Sequence, residues 1–381
     1  MPRLNPTLTS LSVYPAVELE RRKAAVVARG QRLFDFSVGD PTEPTPAFIR
    51  EALRAAVAPR CGYPSVRGDA ALRSAIAGYL DRRFGVSVDP ETQVLPTSGS
   101  KEAVFHLPLL VVDPRADDRA VAFPDPGYPA YQRGALFAGG EAIPVPLDGD
   151  HVFRPWELPD EVVSRLRMVW LNTPHNPSGA VTPLDDLKRA ADFCRAHDIL
   201  LVSDESYADV WLSCDPPPSL LQAGTDGVLV LHSLSKRSGM TGYRSGFLAG
   251  DPEVVSLLTT LRSNPGLVPQ SFVNAAAAVA WSDDAHVAER RALFAAKQAL
   301  LRAHFAELGL DVVASEAGLY LWVRTPEGRT DEAWAMTLLE HGIVVSPGPM
   351  FSVCGGGQGF VRLALVPSIG DIEAAIAAWP R

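Results

Sequence analysis

The chain has little of what staples, metallates or anchors a protein. Four cysteines, Cys61, Cys194, Cys214 and Cys354, are scattered through 381 residues with no C-x-x-C pair, which argues against a disulfide framework and suits a reducing compartment. The eight histidines show no H-x-x-x-H spacing, so no metal site is expected. No apolar run reaches ~18 residues, the length of a membrane-spanning helix, and Met1-Pro-Arg-Leu-Asn5 is not built like a signal peptide. Lys/Arg runs are missing and the net charge is −9, so nucleic acid and membranes are not expected partners. Repeats and low-complexity tracts are absent; Pro216-Pro-Pro218 is one short turn. The expectation is a soluble, cytoplasmic protein.

What is present is bulk and pattern. With 47% hydrophobic residues the chain exceeds the size at which one core stops growing, and two domains are expected. From about Pro44 to Asn264 short β-rich runs alternate with helical stretches such as Leu187–Arg195, which predicts βαβ units around a mostly parallel sheet. The alanine-rich stretch from about Val273 to Gly309, with helical periodicity over Val287–Leu300, is expected to cross between the domains. Beyond it, Ala317–Val323, Ile343–Val345 and Phe360–Leu365 predict strands of a smaller α+β domain.

Polar clusters follow the predicted strands of the first region. Met168–Leu171 runs into Asn172-Thr-Pro-His-Asn176-Pro-Ser-Gly179, Ile199–Val202 into Asp204-Glu-Ser-Tyr207, and Val228–Leu231 into Ser233-Leu-Ser-Lys236. Ligands bind at the carboxyl ends of strands in open α/β sheets, and these groups suit one heterocycle, pyridoxal phosphate. Lys236, between small hydroxyls, supplies an amine for a Schiff base, and Arg244 and Ser233 would hold a phosphate dianion. Asp204 would keep a pyridine nitrogen protonated, while Tyr207 and Asn176 would bond a ring oxygen. Upstream, the small residues of Thr97-Ser-Gly-Ser-Lys-Glu102 suit an anion at a new helix, and Tyr128 in Asp125-Pro-Gly-Tyr128 could stack on a ring. Singly, each has another reading: a turn, a helix start, a cap or a packed loop. A nucleotide site is disfavoured, because G-x-x-x-x-G-K-[ST] is missing and Gly355-Gly-Gly-Gln-Gly359 leads into a strand.

Together, in this order and spacing, these motifs resemble the class I/II aminotransferases of pyridoxal-phosphate fold type I, from Asp35-Phe-Ser-Val-Gly39-Asp-Pro through Phe360-Val-Arg362-Leu-Ala. The resemblance implies an α/β fold with a large domain over 40–272, a mostly parallel sheet flanked by helices, and a smaller α+β domain from 1–39 and 273–381. It assigns the Schiff-base and acid–base role to Lys236, the pyridinium partner to Asp204 and the ring-oxygen bonds to Tyr207 and Asn176. Ser100, Ser233 and Arg244 match phosphate ligands with help from the Gly99 and Lys101 backbone, and Tyr128 the stacking position. Tyr63 matches a tyrosine that reaches the neighbouring subunit's phosphate, which implies a homodimer with shared sites. Arg362 matches the arginine that grips the substrate α-carboxylate, where a guanidinium fork does what an ammonium cannot, with Gly39 alongside it.

The implied reaction is aminotransfer between an amino acid and a 2-oxo acid, 2-oxoglutarate being the expected acceptor. A carbon–sulfur β-lyase or a decarboxylase would share the cofactor residues. Gly62-Tyr-Pro, Leu231–Arg244 and Ala317-Gly-Leu-Tyr-Leu-Trp322 most resemble succinyldiaminopimelate aminotransferases of lysine biosynthesis; relatives acting on LL-diaminopimelate, aspartate, alanine or aromatic amino acids are the alternatives. Arg262 is the candidate for a distal substrate carboxylate.

Overall fold

The computed structural model describes residues 2, 4–9, 16–147, 149–213 and 215–380; Cys214 lies outside them. A central sheet is built from β1 Val94–Thr97, β2 Ala120–Asp125, β3 Glu141–Pro146, β4 Leu166–Asn172, β5 Leu200–Asp204, β6 Val228–Ser233 and β7 Gly246–Gly250. Their order is β1-β7-β6-β5-β4-β2-β3. All neighbours are parallel except the two pairs made by β7, which runs against β6 and β1.

The apolar runs form strands because both faces are covered. Successive side chains point to opposite faces. Thus Val169, Leu171, Leu201 and Val230 enter one core with residues of the helices Ala70–Phe84 and Leu184–Ala196. Met168, Trp170, Val202 and Leu231 enter the other, against Ser100–His106 and Ala130–Phe137. Burial on both sides explains why these strands are continuous apolar runs rather than alternating ones.

The alanine-rich stretch is two helices, Ser271–Trp281 and Ala285–Glu307. Between them Asp283 Oδ1 accepts from the His286 amide at 3.0 Å, starting the second helix afresh. Ala276, Ala277, Ala280 and Trp281 pack into a large-sheet core, whereas Phe294, Leu301 and Phe305 pack into a separate one. The change of packing partner thus falls between Trp281 and Ala285.

That separate core covers an antiparallel sheet of β8 Val312–Val313, β9 Tyr320–Arg324, β10 Ser346–Pro347 and β11 Phe360–Ala364, in the order β10-β11-β9-β8. Phe34–Asp35 pairs in parallel with Ile343–Val344, and Phe34 and Phe36 are buried in the same core. Among the described residues no helix is long and apolar enough to cross a membrane, and no cluster of His, Cys, Asp or Glu could hold a metal.

Candidate active site

Register aligns the strand ends. Asn172 stands opposite Asp204, and Ser233 opposite Gly246, which in turn faces Thr97. A cavity of about 610 Å³ opens there, and its walls include Gly39, Ser100, Lys101, Tyr128, Asn176, Asp204, Tyr207, Ser233, Lys236, Arg244 and Arg362. Residues spread over more than three hundred positions thus meet in one place.

Asp204 is buried at the end of β5. Its Oδ1 accepts from Ser206 Oγ at 2.6 Å and Ser206 N at 3.1 Å, and its Oδ2 from Tyr131 Oη at 3.1 Å. Burial pushes its pKa above the usual carboxylate value, against the opposing effect of these bonds. All three donors are neutral, so a cationic ring nitrogen would relieve the buried charge. Lys236 lies across the cavity, its amine donating to the Gly39 carbonyl. Burial lowers the pKa of that amine, with Arg362 and Arg244 adding to the effect while Tyr320 and Asp40 oppose it, and a lowered pKa favours the neutral nucleophile. Gly39 is needed for this approach: a side chain there would run into the Tyr320 ring.

The opposite end would suit an anion. Gly99 has φ +79°, and any Cβ on it would collide with the Arg244 guanidinium. Arg244, itself at φ +55°, donates to Thr241 O at 2.9 Å and Ser98 O at 3.3 Å. Ser100 Oγ lies 3.2 Å from Ser206 Oγ, and Ser233 Oγ accepts from the Ser235 amide at 3.1 Å. Burial first, then Arg244 and Arg133, lower the Lys101 pKa, a concentration of positive charge that a phosphate would neutralise.

On the small-domain side Arg362, buried on β11, donates from Nη1 to Asn176 Oδ1 at 2.9 Å and from Nη2 to Ser37 O at 2.8 Å. Its Nε is buried without a partner among the described residues, a donor available to a carboxylate. The guanidinium carbon sits 4.1 Å from the Tyr320 ring centroid and 4.2 Å from that of Phe351. Tyr207 Oη is 2.7 Å from Tyr320 Oη, and burial raises the Tyr207 pKa, so the phenol is a neutral hydrogen-bonder.

Two expected site residues are elsewhere. Tyr63 is fully exposed and does not line this chain's cavity. Arg262 is a correction: it is 0% exposed, ion-paired with Glu102 at 2.7 Å, and donates to Pro96 O at 2.9 Å and Val66 O at 3.1 Å. Glu102 Oε2 in turn accepts from the Ser98 amide at 2.6 Å. Arg262 therefore buttresses the Ser98–Lys101 turn from inside the protein and does not line the cavity.

Several working residues were not assigned from sequence. Asn172 donates to Asp204 O at 2.9 Å and accepts from the Asn176 amide at 2.8 Å, tying two strand ends together. His175 Nε2 is 3.0 Å from Pro126 O, which can only accept, so Nδ1 takes the Ser178 hydroxyl at 2.7 Å; burial lowers its pKa to about 3, keeping the ring neutral. Asn172 and His175 stand inside the quoted Asn172–Gly179 motif, and Tyr131 lies three residues beyond Tyr128. Ser37 and Tyr320 also lie in quoted motifs, Asp35–Gly39 and Ala317–Trp322, but nothing local in them marks what these two side chains touch.

A lysine and a carboxylate face one cavity at the switch from parallel sheet to small domain, with glycines and Arg244 at one end and Arg362 at the other, an arrangement that fits the pyridoxal-phosphate enzymes of fold type I. The family model for aminotransferase class I and II matches residues 31–378, and the chain belongs to that family. It is 34% identical to the LL-diaminopimelate aminotransferase of Aquifex aeolicus over 97% of this chain and 96% of that one. It is 36% identical to a probable aminotransferase of Mycobacterium tuberculosis over 96% and 85% of the two chains. A solved aminotransferase from Neisseria meningitidis superposes with a TM-score of 0.91 at 30% identity, covering 98% of both chains.

Proposed function

We propose that the cavity binds pyridoxal 5′-phosphate and that the enzyme transfers an amino group from LL-2,6-diaminopimelate to 2-oxoglutarate, working in the cytoplasm as a homodimer. The observation that carries the cofactor reading is the convergence of Lys236, Asp204, Arg244 and Arg362 on one cavity. Bound there, the cofactor's ring would supply the electron sink for the charge left on the substrate's α-carbon. Lys236 would hold it covalently and, once released, carry the proton to and from that carbon. Asp204 would pair with the ring nitrogen, Tyr207 and Asn176 with the ring oxygen, and Tyr128 with the ring face. Ser100, Ser233, Arg244 and the Gly99–Lys101 backbone would take the phosphate. Arg362 would orient the α-carboxylate, with Gly39 beside it. The fully exposed Tyr63 fits a role in the site of a second copy.

The donor assignment rests on the relatives. The succinylated donor expected from sequence yields to unmodified LL-diaminopimelate, the alternative, because the Aquifex relative of nearly equal length carries that name. A panel of donors with 2-oxoglutarate, scored by glutamate formed, tests it. LL-diaminopimelate should show the highest kcat/KM; a higher value for its N-succinyl derivative, aspartate, alanine or an aromatic amino acid would overturn the assignment.

A further inference from the structure

We propose that Asp125 is a positioning residue for substrate binding, latching the small-domain loop that carries Met350 and Phe351 onto the large domain. Asp125 ends β2 and is 1% exposed. Its carboxylate plays no part in the cofactor site, yet every side-chain bond it makes goes to one loop. Oδ1 accepts from the Val353 amide at 2.8 Å, and Oδ2 from the Ser352 hydroxyl and, at 3.0 Å, the Cys354 thiol. The neighbouring Gly127 amide donates to Phe351 O at 2.7 Å. A Cβ at position 356 would lie 2.7 Å from Asp125 Oδ2, so the glycine lets the loop approach the carboxylate this closely.

The latched loop is functional surface. Met350 and Phe351 line the cavity, and Phe351 packs against the Arg362 guanidinium at 4.2 Å. Releasing the loop would free Phe351 and loosen Arg362 while leaving Lys236, Asp204 and the phosphate groups, all on the large domain, in place. The inference rests on Arg362 holding the substrate carboxylate. It predicts a defect in substrate binding without one in cofactor binding.

The test uses the holoenzyme with Asp125→Ala, Asp125→Asn and Ser352→Ala; the last removes one donor to the carboxylate but also the acceptor of the Gly356 and Cys354 amides, so in that variant exchange is read at the Val353 amide, which Asp125 itself holds. Amide exchange over residues 348–357 should quicken by roughly ten- to a hundredfold in Asp125→Ala, the factor corresponding to one hydrogen bond to a charged group. Asp125→Asn and Ser352→Ala should fall between it and the parent. KM for LL-diaminopimelate and for L-glutamate should rise in the same order, with pyridoxal-phosphate affinity within about twofold. Unchanged exchange in Ser352→Ala and in whichever Asp125 variants fold would overturn the latch. Faster exchange with unchanged KM would overturn its role in substrate binding, as would an equal loss of cofactor affinity. Because exchange is read without turnover, failure of the latch is distinguishable from failure of the Arg362 assignment, which Arg362→Lys kinetics report.

Discussion

Replacing Tyr131 by Phe removes one hydroxyl from the site and little else. The ring stacks on Trp170 at 4.9 Å and 23° and is fully buried, so Phe keeps the packing while Asp204 Oδ2 loses its 3.1 Å donor. A hydrogen bond to a charged group contributes about 1.5–3 kcal/mol; with the Ser206 bonds intact the lower figure applies, and losing the donor should push the Asp204 pKa further up. The sign of the pH dependence follows. Asp204 is already above its ordinary value in the folded state, so the folded apoprotein holds this proton more tightly than the unfolded chain. Its contribution to stability is full below the unfolded value of about 3.9 and is lost as pH rises through the folded value. Tyr131→Phe should therefore lower apoprotein stability by up to about 1.5 kcal/mol at pH above the folded Asp204 value, where the carboxylate is ionised, and by less as pH falls through it, read as urea midpoints at pH 8 and pH 5. In the holoenzyme a weaker pairing with the ring nitrogen should slow the single-turnover half-reaction about tenfold, equivalent to ~1.4 kcal/mol of barrier. Unchanged midpoints at both pH values together with a half-reaction within twofold of the parent would refute the reasoning.

Arg362→Lys should lower kcat/KM for donor and acceptor together by about thirtyfold, equivalent to ~2 kcal/mol for a lost guanidinium fork, with cofactor affinity intact; a fall for only one of them contradicts the shared-carboxylate role. Arg262→Ala leaves Glu102 buried and unpaired, so it should cost about 3–5 kcal/mol in urea unfolding without changing the preference among donors. Tyr63→Phe should weaken cofactor binding in a species that light scattering shows to be a dimer, and an active monomer at assay concentration would contradict the shared site.

What could be read from sequence was the chemistry that sits in short motifs at strand ends. Lys236, Asp204 and Asn176 could be read because they follow continuous apolar runs, and a strand buried on both faces announces itself; Arg244 was read from its place after Lys236. Gly246–Gly250 has no such mark: it begins and ends in glycine and runs against its neighbours. Glu141–Pro146 is an edge strand that tolerates Pro144 and Pro146. Arg262 was misplaced because spacing cannot tell an arginine aimed at a ligand from one neutralised by Glu102 inside the fold. Tyr320, Ser37 and the Asp125 contacts arise only when distant segments pack together, so no local pattern could have disclosed them.

The central claim is that Lys236 is the amine at the heart of this site. Reducing the holoenzyme with borohydride and mapping the modified peptide tests it most directly. The visible absorption band should be lost with the pyridoxyl adduct on Lys236, and no such adduct should form in Lys236→Ala; recovery of the adduct on Lys101 or any other lysine would contradict the assignment.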